Sequence, residues 1–430
     1  MGANIAVFVL SYFNNKLIYL YLDEADNGIV FLIMRFTLFL SLFFGDWLRL
    51  SSMNIAGNDK RTIPVLSANS FWYSVILGLV LTLVALLLPS LYNGTILGVP
   101  SPYIPVTLIV GLAYIARNNW QSLLLVSHRM FNYSFVFILW AVLFLVLNII
   151  FLVFLGYGIN YVLAALSIAS VASALWAFGS SIFTCGHTFH PSLKILSMSG
   201  KIGARAWIAV LGMFLLANIH AFSIKPFAGS GEEGWIMVAL FSVGYRVFSV
   251  FQRGADVAGA ILYSHVVQQD DKTSFKMTMM VTRNIILIMV FFAVLTALAG
   301  KALIIIISSS KYITAYIPML VMLPGMVAVN AGSVINNYYW GRTYPFKIIS
   351  APYVAVVIGM ALNYILIPRM GLSGAALSFS LMNVMWFMFE TTLFLRDSGY
   401  KMHEVLIPRL SDVIHVMRRF NQKLPGQKKR

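Results

Sequence analysis

The chain has 430 residues, of which 60% are hydrophobic and only 10% are charged, so it has too few polar side chains to cover the surface of a soluble protein of this size. The composition therefore excludes a soluble globular protein and predicts an all-α polytopic membrane protein. In a soluble protein the net charge of +16 would suggest nucleic-acid binding. In a membrane protein it is explained by basic loops and by an anionic inner leaflet, and no nucleic-acid partner is predicted.

Twelve apolar stretches approach or exceed the length of about 20 residues that crosses a bilayer. In chain order they are 4–21, 28–46, 67–90, 104–127, 134–156, 160–184, 205–227, 235–262, 282–300, 315–338, 347–367 and 372–395. No charged segment with a cleavage site precedes the first stretch, so we expect a retained helix and not a removed signal peptide. The single cysteine, Cys185, predicts neither an intrachain disulfide nor a metal site.

The basic residues predict the orientation, because positively charged loops stay in the cytoplasm. With the N-terminus inside, 21 of the 30 lysines and arginines fall in cytoplasmic segments and only four in external ones. The acidic residues Asp23, Glu24, Asp26, Glu232 and Glu233 fall in external loops. We therefore expect both termini in the cytoplasm.

Short patterns recur at an offset of about 211 to 215 residues. Arg129 to Tyr133 is echoed by Arg342 to Phe346, and the sequence Ala-Ala-Leu-Ser occurs at 164–167 and again at 375–378. Asn148 is matched by Asn363. The repeats predict a duplicated protein with an N-terminal half at 1–190, a C-terminal half at 191–400 and a basic cytoplasmic tail at 401–430. Solute carriers with such repeats bind substrate between the halves, near the bilayer midplane.

Five basic residues fall inside the predicted spans: Lys16, Arg35, Arg117, Arg246 and Arg253. An arginine at the bilayer centre costs about 2.5 to 3.5 kcal/mol even on lenient insertion scales, so it usually faces a polar interior. Arg35 and Arg246 are separated by 211 residues, the offset of the repeats, and are predicted to face each other across a central cavity.

The shared positive charge of these residues predicts an anionic substrate group such as a phosphate or pyrophosphate, which guanidinium groups bind through a planar fork. Two of them have structural alternatives. Arg253 has the spacing for an ion pair with Asp256, three residues later, and Lys16 lies close enough to the outer boundary to extend to the lipid headgroups.

Residues 363–378, with the sequence NYILIPRMGLSGAALS, resemble the penultimate-loop signature of the polysaccharide flippases in the multidrug/oligosaccharidyl-lipid/polysaccharide exporter (MOP) superfamily. In this segment Pro368 ends one helix, Gly371 turns the chain and Gly374 lets the next helix pack closely. Gly45, the run 258–267, the segment 311–315 and Gly341-Arg342 also resemble the family pattern in order, so the resemblance covers most of the chain.

The resemblance implies two six-helix bundles related by a pseudo-two-fold axis, in a bacterial inner membrane. It implies a flippase that moves an undecaprenyl-pyrophosphate-linked oligosaccharide repeat unit, of the O-antigen or capsule type, from the inner to the outer leaflet by alternating access. Besides this substrate and membrane lipids, other membrane proteins of polysaccharide assembly are candidate partners. The chain departs from the family in its short N-terminus, which begins almost inside the first helix and leaves a functional role of Lys16 open.

No cofactor is predicted. The phosphate-loop pattern G-x-x-x-x-G-K-[ST] does not occur, which disfavours ATP as the driving force. A proton or sodium gradient is the remaining source of energy, with Asp256, Glu390 and His220 as coupling candidates.

Two further segments are assigned structural roles. Residues 229–234 match G-x-G-x-x-G, but they lie in a short external loop with two carboxylates and are interpreted as a connector, not as a nucleotide site. The apolar stripe from Met402 to Phe420 predicts a basic amphipathic helix on the inner membrane surface.

Two alternative functions stay open. A cation-coupled multidrug exporter of the same superfamily would need an acidic cavity, whereas this one is predicted to be basic. A membrane polysaccharide polymerase or glycosyltransferase would need catalytic acids or bases in sizeable external loops. The external loops here are short, so no catalytic residue is predicted and the chain is not expected to be an enzyme.

Overall fold

The computed structural model describes residues 2–156, 158–229, 231–342 and 345–407. It leaves undescribed the side chains of residues 2–4, 89–91, 248, 253, 254, 256, 260, 261, 264 and 265. The helices are α1 (Gly2–Tyr21), α2 (Glu24–Leu40), α3 (Asp46–Asn58), α4 (Ile63–Leu91), α5 (Ile104–Val126), α6 (Met130–Asn148), α7 (Ile159–Cys185), α8 (Leu193–Ala228), α9 (Glu233–Val266), α10 (Asp271–Ile307), α11 (Tyr316–Trp340), α12 (Phe346–Ser398) and α13 (Met402–Leu406).

Helices dominate because lipid offers no hydrogen bonds to the backbone, so each spanning segment must satisfy its own N–H and C=O groups. By length and composition, eight helices of the described chain can cross a membrane, and the segments Glu233–Val247 and Ser249–Gly259 of α9 together make a ninth. Helices α1 and α5 cover two more of the predicted stretches. The last two predicted stretches both lie in α12.

A break at Gly371 divides α12 into two limbs, as the sequence predicts. Gly371 has φ +57° and ψ −133°, outside helical geometry. A few residues later, a Cβ atom on Gly374 would overlap the main-chain carbonyl of Leu366. Only a glycine lets the second limb approach the end of the first so closely.

Two turns of π-helix, Ser41–Gly45 and Ile149–Phe154, interrupt otherwise regular spans. The first joins α2 to α3, so that the span predicted to end at residue 46 continues as helix to Asn58. Widened turns leave carbonyl groups that need other donors. In the first π-turn, the Trp207 indole donates to the carbonyl of Leu42 at 3.0 Å, and the Tyr73 hydroxyl donates to that of Phe44.

A small hairpin is the exception to the helical architecture. Strands β1 (Thr95–Ile96) and β2 (Val99–Pro100) pair antiparallel around Leu97 and Gly98, which have φ +51° and +80°. Two positive φ values are typical of a tight two-residue hairpin turn. The carbonyl of Gly98 accepts a hydrogen bond from the Trp235 indole at 2.9 Å, which ties the hairpin to the start of α9.

The described chain divides into two compact units, one at residues up to 243 with 305–314, and the other at 244–304 with the described residues from 315 to 407. In the first unit, helices α3 to α7 enclose an apolar core that includes Leu66, Trp120 and Leu123. In the second, α11 packs along α12, and Trp386 and Phe379 are fully buried. These units follow contact density and not the sequence repeat, so the predicted domain boundaries at 190 and 400 stay a prediction.

The repeated motifs occupy corresponding places in the chain. Arg129 immediately precedes α6, and Pro345 immediately precedes α12. Asn148 ends α6, and Asn363 lies eight residues before the break in α12. Each half therefore carries its copy of the motif before the fifth of its six predicted spans.

Candidate functional site

A polar cavity of about 400 Å³ lies within the first compact unit. Its walls are formed by α2, α3, α5, α6 and α8. The lining residues are Arg35, Leu38, Ser41, Leu42, Asp46, Arg49, Met53, Arg117, Asn118, Gln121, Ser122, Leu125, Tyr133, Phe137, Phe214 and Asn218. They extend along α5 from its middle to its C-terminal end and include the first turn of α6, so the cavity occupies the half of the unit nearer the predicted cytoplasmic side.

One face of the α2–α3 span lines the cavity over much of its length. The lining positions Arg35, Leu38, Leu42, Asp46 and Arg49 recur every three or four residues, as expected for one side of a helix. The π-turn inside this span presents the Ser41 hydroxyl, which accepts a hydrogen bond from Asn118 at 3.0 Å. The span thus places a polar stripe, with an arginine near each end, on the cavity wall.

Arg117 is buried, with only 6% of its surface exposed. Its guanidinium lies over the ring of Tyr114, with Cζ 4.2 Å from the ring centroid, and also approaches Phe137 and Trp140 at 5.8 and 5.9 Å. Aromatic faces attract cations, which offsets part of the cost of burial. The Nε atom is nevertheless buried without a hydrogen-bond acceptor among the described residues.

The charged groups on the cavity wall are mostly positive. The charged lining residues are Arg35, Arg49, Arg117 and Asp46, which together give a formal charge of +2. Arg35 lies over the ring of Phe31, with Cζ 4.9 Å from the centroid. Arg49 forms a two-point ion pair with Asp46, with two N–O distances of 2.8 Å. Such a cavity attracts anions and repels cations.

Neutral polar and aromatic groups complete the wall. Asn118, Gln121 and Asn218 supply amides, of which Gln121 donates to the carbonyl of Tyr133 at 2.8 Å. The rings of Tyr133, Phe137 and Phe214 also line the cavity. Amides beside aromatic faces suit a ligand that has both hydroxyl groups and apolar ring surfaces.

Of the predicted site residues, the structure brings Arg35 and Arg117 together on one cavity. Lys16 does not line it: its ammonium donates to the carbonyls of Ile305 and Ile306, at 3.3 and 2.6 Å, and so caps the C-terminal end of α10. Arg246 lies on α9 in the second compact unit, and its predicted opposition to Arg35 stays a prediction. The side chain of Arg253 lies outside the described residues.

The coupling candidates have different environments. Glu390, on the second limb of α12, is fully buried and accepts a hydrogen bond from Asn336 on α11 at 3.1 Å. Its second oxygen, Oε2, has no hydrogen-bond donor among the described residues. His220 is fully buried on α8. The side chain of Asp256 lies outside the described residues, as does the tail beyond residue 407.

Arg49 was not predicted as a site residue, because the predicted second span ends at residue 46 and Arg49 falls in a cytoplasmic segment. Asp46, the last residue of that predicted span, was not singled out either. The structure continues this helix past both residues, and both line the cavity. Arg49 follows Arg35 by 14 residues, about four helical turns, and this spacing is the signal that places both arginines on the same side of a continuous helix.

The sequence matches no protein-family model and no curated protein. Similar folds occur among solved structures. An inward-facing multidrug-resistance MATE family transporter of the MOP superfamily matches with a TM-score of 0.73 and 17% identity over 91% of this chain and 94% of its own. The lipid II flippase MurJ, in an inward closed conformation, matches with a TM-score of 0.73 and 13% identity over 99% of this chain and 93% of its own.

A third structure is a MOP superfamily transporter from Pyrococcus furiosus whose binding pocket is described as reversed in polarity. It matches with a TM-score of 0.64 and 16% identity over 92% of this chain and 93% of its own. The prediction of an all-α polytopic membrane protein with about twelve helices is confirmed. The chain is thus a multi-pass membrane protein with the fold of MOP superfamily transporters.

Proposed function

We propose that this protein is a flippase that moves an undecaprenyl-pyrophosphate-linked oligosaccharide repeat unit from the inner to the outer leaflet of a bacterial inner membrane. The observation that carries the proposal is the cationic cavity at Arg35, Arg49 and Arg117. A buried guanidinium is costly, and a phosphate group in the cavity would give the charge of Arg117 a partner.

The pyrophosphate and sugars cannot cross hydrocarbon unaided, because each unsatisfied polar group there costs several kcal/mol. In the proposed mechanism the arginines hold the pyrophosphate in the cavity while the isoprenoid chain stays in lipid. The amides Asn118, Gln121 and Asn218 would bind sugar hydroxyl groups, and Phe137 and Phe214 would pack on sugar rings. Alternating access of the cavity then exposes the headgroup on the outer side.

Of the similar structures, one is described as a multidrug-resistance transporter and another as a lipid II flippase, and neither chemistry transfers by fold alone. The sign of the cavity charge favours an anionic substrate over a cationic drug. In the P. furiosus transporter, the reversed polarity of the binding pocket suggests a different function. This supports the use of the sign of the cavity charge to distinguish substrate classes within the fold.

The proposal also includes an energy source for transport and protein partners. A proton or sodium gradient would drive the cycle through Glu390, His220 or Asp256. Both termini would lie in the cytoplasm, and membrane proteins that polymerise or export the sugar would receive the product. The protein itself would make and break no covalent bond.

The decisive experiment uses the full chain in proteoliposomes that contain the lipid-linked repeat unit. The appearance of sugar at the far leaflet is measured with a membrane-impermeant lectin. Arg117→Ala should slow delivery at least about tenfold, because a hydrogen bond to a charged group contributes about 1.5–3 kcal/mol. The matched control is Arg61→Ala, which removes the same charge at an exposed position outside the cavity.

Binding of farnesyl pyrophosphate to the detergent-solubilised protein, measured by calorimetry, should weaken in parallel. Unchanged delivery and binding in Arg117→Ala would contradict the proposal. Export of a cationic dye such as ethidium in place of the lipid-linked sugar would establish the drug exporter. Formation of new glycosidic bonds in the vesicles would establish the enzyme.

A further inference from the structure

We infer that Arg49 is a third anion-contacting residue of the cavity and that Asp46 is the residue that positions it. The inference rests on the proposed function, because it assumes that the cavity receives a phosphate or pyrophosphate. It adds two residues to Arg35 and Arg117, the two predicted site residues that line the cavity. It also assigns a role to Asp46, the only carboxylate among the described residues of this cavity wall.

The geometry of the pair supports this division of roles. Asp46 is 2% exposed and its two carboxylate oxygens accept from Nε and Nη2 of Arg49, each at 2.8 Å. The Arg49 side chain is 32% exposed. Its third nitrogen, Nη1, makes no hydrogen bond to any described residue. The buried carboxylate therefore binds the Nε and Nη2 edge of the guanidinium and leaves the edge with Nη1 available to a ligand.

The position of the pair on its helix supports the same inference. Asp46 begins α3, immediately after the π-turn, and Arg49 lies one turn further along the same wall. On the neighbouring helix α5, Arg117 lines the same cavity and Gln121 lies one turn beyond it. A pyrophosphate has two phosphoryl groups, so it can be held at the same time by arginines on two neighbouring helices.

Without Asp46, Arg49 would keep its charge and lose its orientation. A flexible arginine loses more conformational entropy on binding than one already fixed by an ion pair, so fixing it in advance strengthens binding. Asp46 also lowers the net charge of the cavity by one, which by itself weakens anion binding. If Asp46 mainly orients Arg49, its removal weakens anion binding, and if it mainly competes as a negative charge, its removal strengthens binding. A double-mutant cycle separates the two roles.

The test measures farnesyl pyrophosphate affinity by calorimetry with the full chain in detergent, for Arg49→Gln, Asp46→Asn and the double variant. Asp46→Asn keeps the side-chain volume, whereas Arg49→Gln shortens the side chain and keeps an amide that can form hydrogen bonds. Thermal unfolding reports whether each variant is folded. We expect Arg49→Gln and Asp46→Asn each to weaken binding about tenfold. In the Arg49→Gln background, Asp46→Asn should cause no further loss. Asp46→Glu replaces Asp46→Asn if the asparagine variant does not fold, and it should retain most of the affinity.

Two outcomes overturn the inference. The first is unchanged affinity in Arg49→Gln. The second is stronger binding in Asp46→Asn both with and without Arg49, since Asp46 would then act only as a competing charge. Arg117→Ala separates this failure from that of the proposed function. If Arg117→Ala weakens binding and Arg49→Gln does not, only the present inference fails, whereas unchanged affinity in both variants removes the anion site altogether.

Discussion

Arg35 on α2 and Arg117 on α5 lie 82 residues apart in the sequence and line the same cavity. A single arginine at this depth raises the free energy of membrane insertion. Neither helix alone would form an anion site. Two such groups in one cavity, together with Arg49, create a region of positive potential in surroundings of low dielectric.

The repeat relation between Arg35 and Arg246 gives the first prediction. If the two residues hold the same substrate, Arg35→Ala and Arg246→Ala should each reduce delivery of the lipid-linked sugar by about tenfold or more, since each removes one charge-assisted contact. Arg369→Ala, at an exposed position, provides the charge-matched control. Normal delivery by Arg246→Ala, with reduced delivery by Arg35→Ala, would confine the site to the first compact unit.

Glu390 gives the second prediction. It is fully buried and has one oxygen without a donor among the described residues, so a proton or a cation would complete its environment. Glu390→Gln cannot exchange a proton and carries no charge, so delivery should no longer be stimulated by an imposed pH or sodium gradient. His220→Gln and Asp256→Asn, compared in the same vesicles, identify the coupling residue. Gradient stimulation that persists in Glu390→Gln excludes Glu390.

Gly374 gives the third prediction, on stability. A Cβ there would overlap the carbonyl of Leu366 across the break in α12, so Gly374→Ala should destabilise the protein by about 1–3 kcal/mol. The matched control is Gly179→Ala on α7, where no atom lies within 4 Å of the new methyl group. Thermal unfolding in detergent should show a lower midpoint for Gly374→Ala than for the control. Equal midpoints would show that the second limb does not depend on this close approach.

The orientation gives the fourth prediction. In a Cys185→Ala background, which removes the only native thiol, single cysteines are introduced at Gly231 and Lys272, both exposed. A membrane-impermeant maleimide added to intact cells should label position 231 and not position 272. Labelling of position 272 alone would place the termini outside and reverse the direction of transport assigned above.

The sequence was informative about the features that a lipid bilayer requires of a chain that crosses it. The apolar stretches, the break at Gly371 and the place of the repeated motifs all follow from hydropathy, from proline and glycine geometry and from self-similarity. The end of the second span was missed, because the π-turn at Ser41–Gly45 carries the helix onward into the more polar segment of α3. That error placed Arg49 outside the membrane span, whereas Asp46 was inside the predicted span and was overlooked.

The sequence by itself determined that the chain enters the membrane and that arginines are placed there at a cost in free energy. It could not determine which of them share a cavity, because Arg35, Arg49 and Arg117 meet only through the packing of α2, α3 and α5. The tertiary structure also separated Lys16 from this group by placing its ammonium on the end of α10. The charge of a residue can be read from the sequence, but which groups neutralise that charge depends on contacts between distant segments.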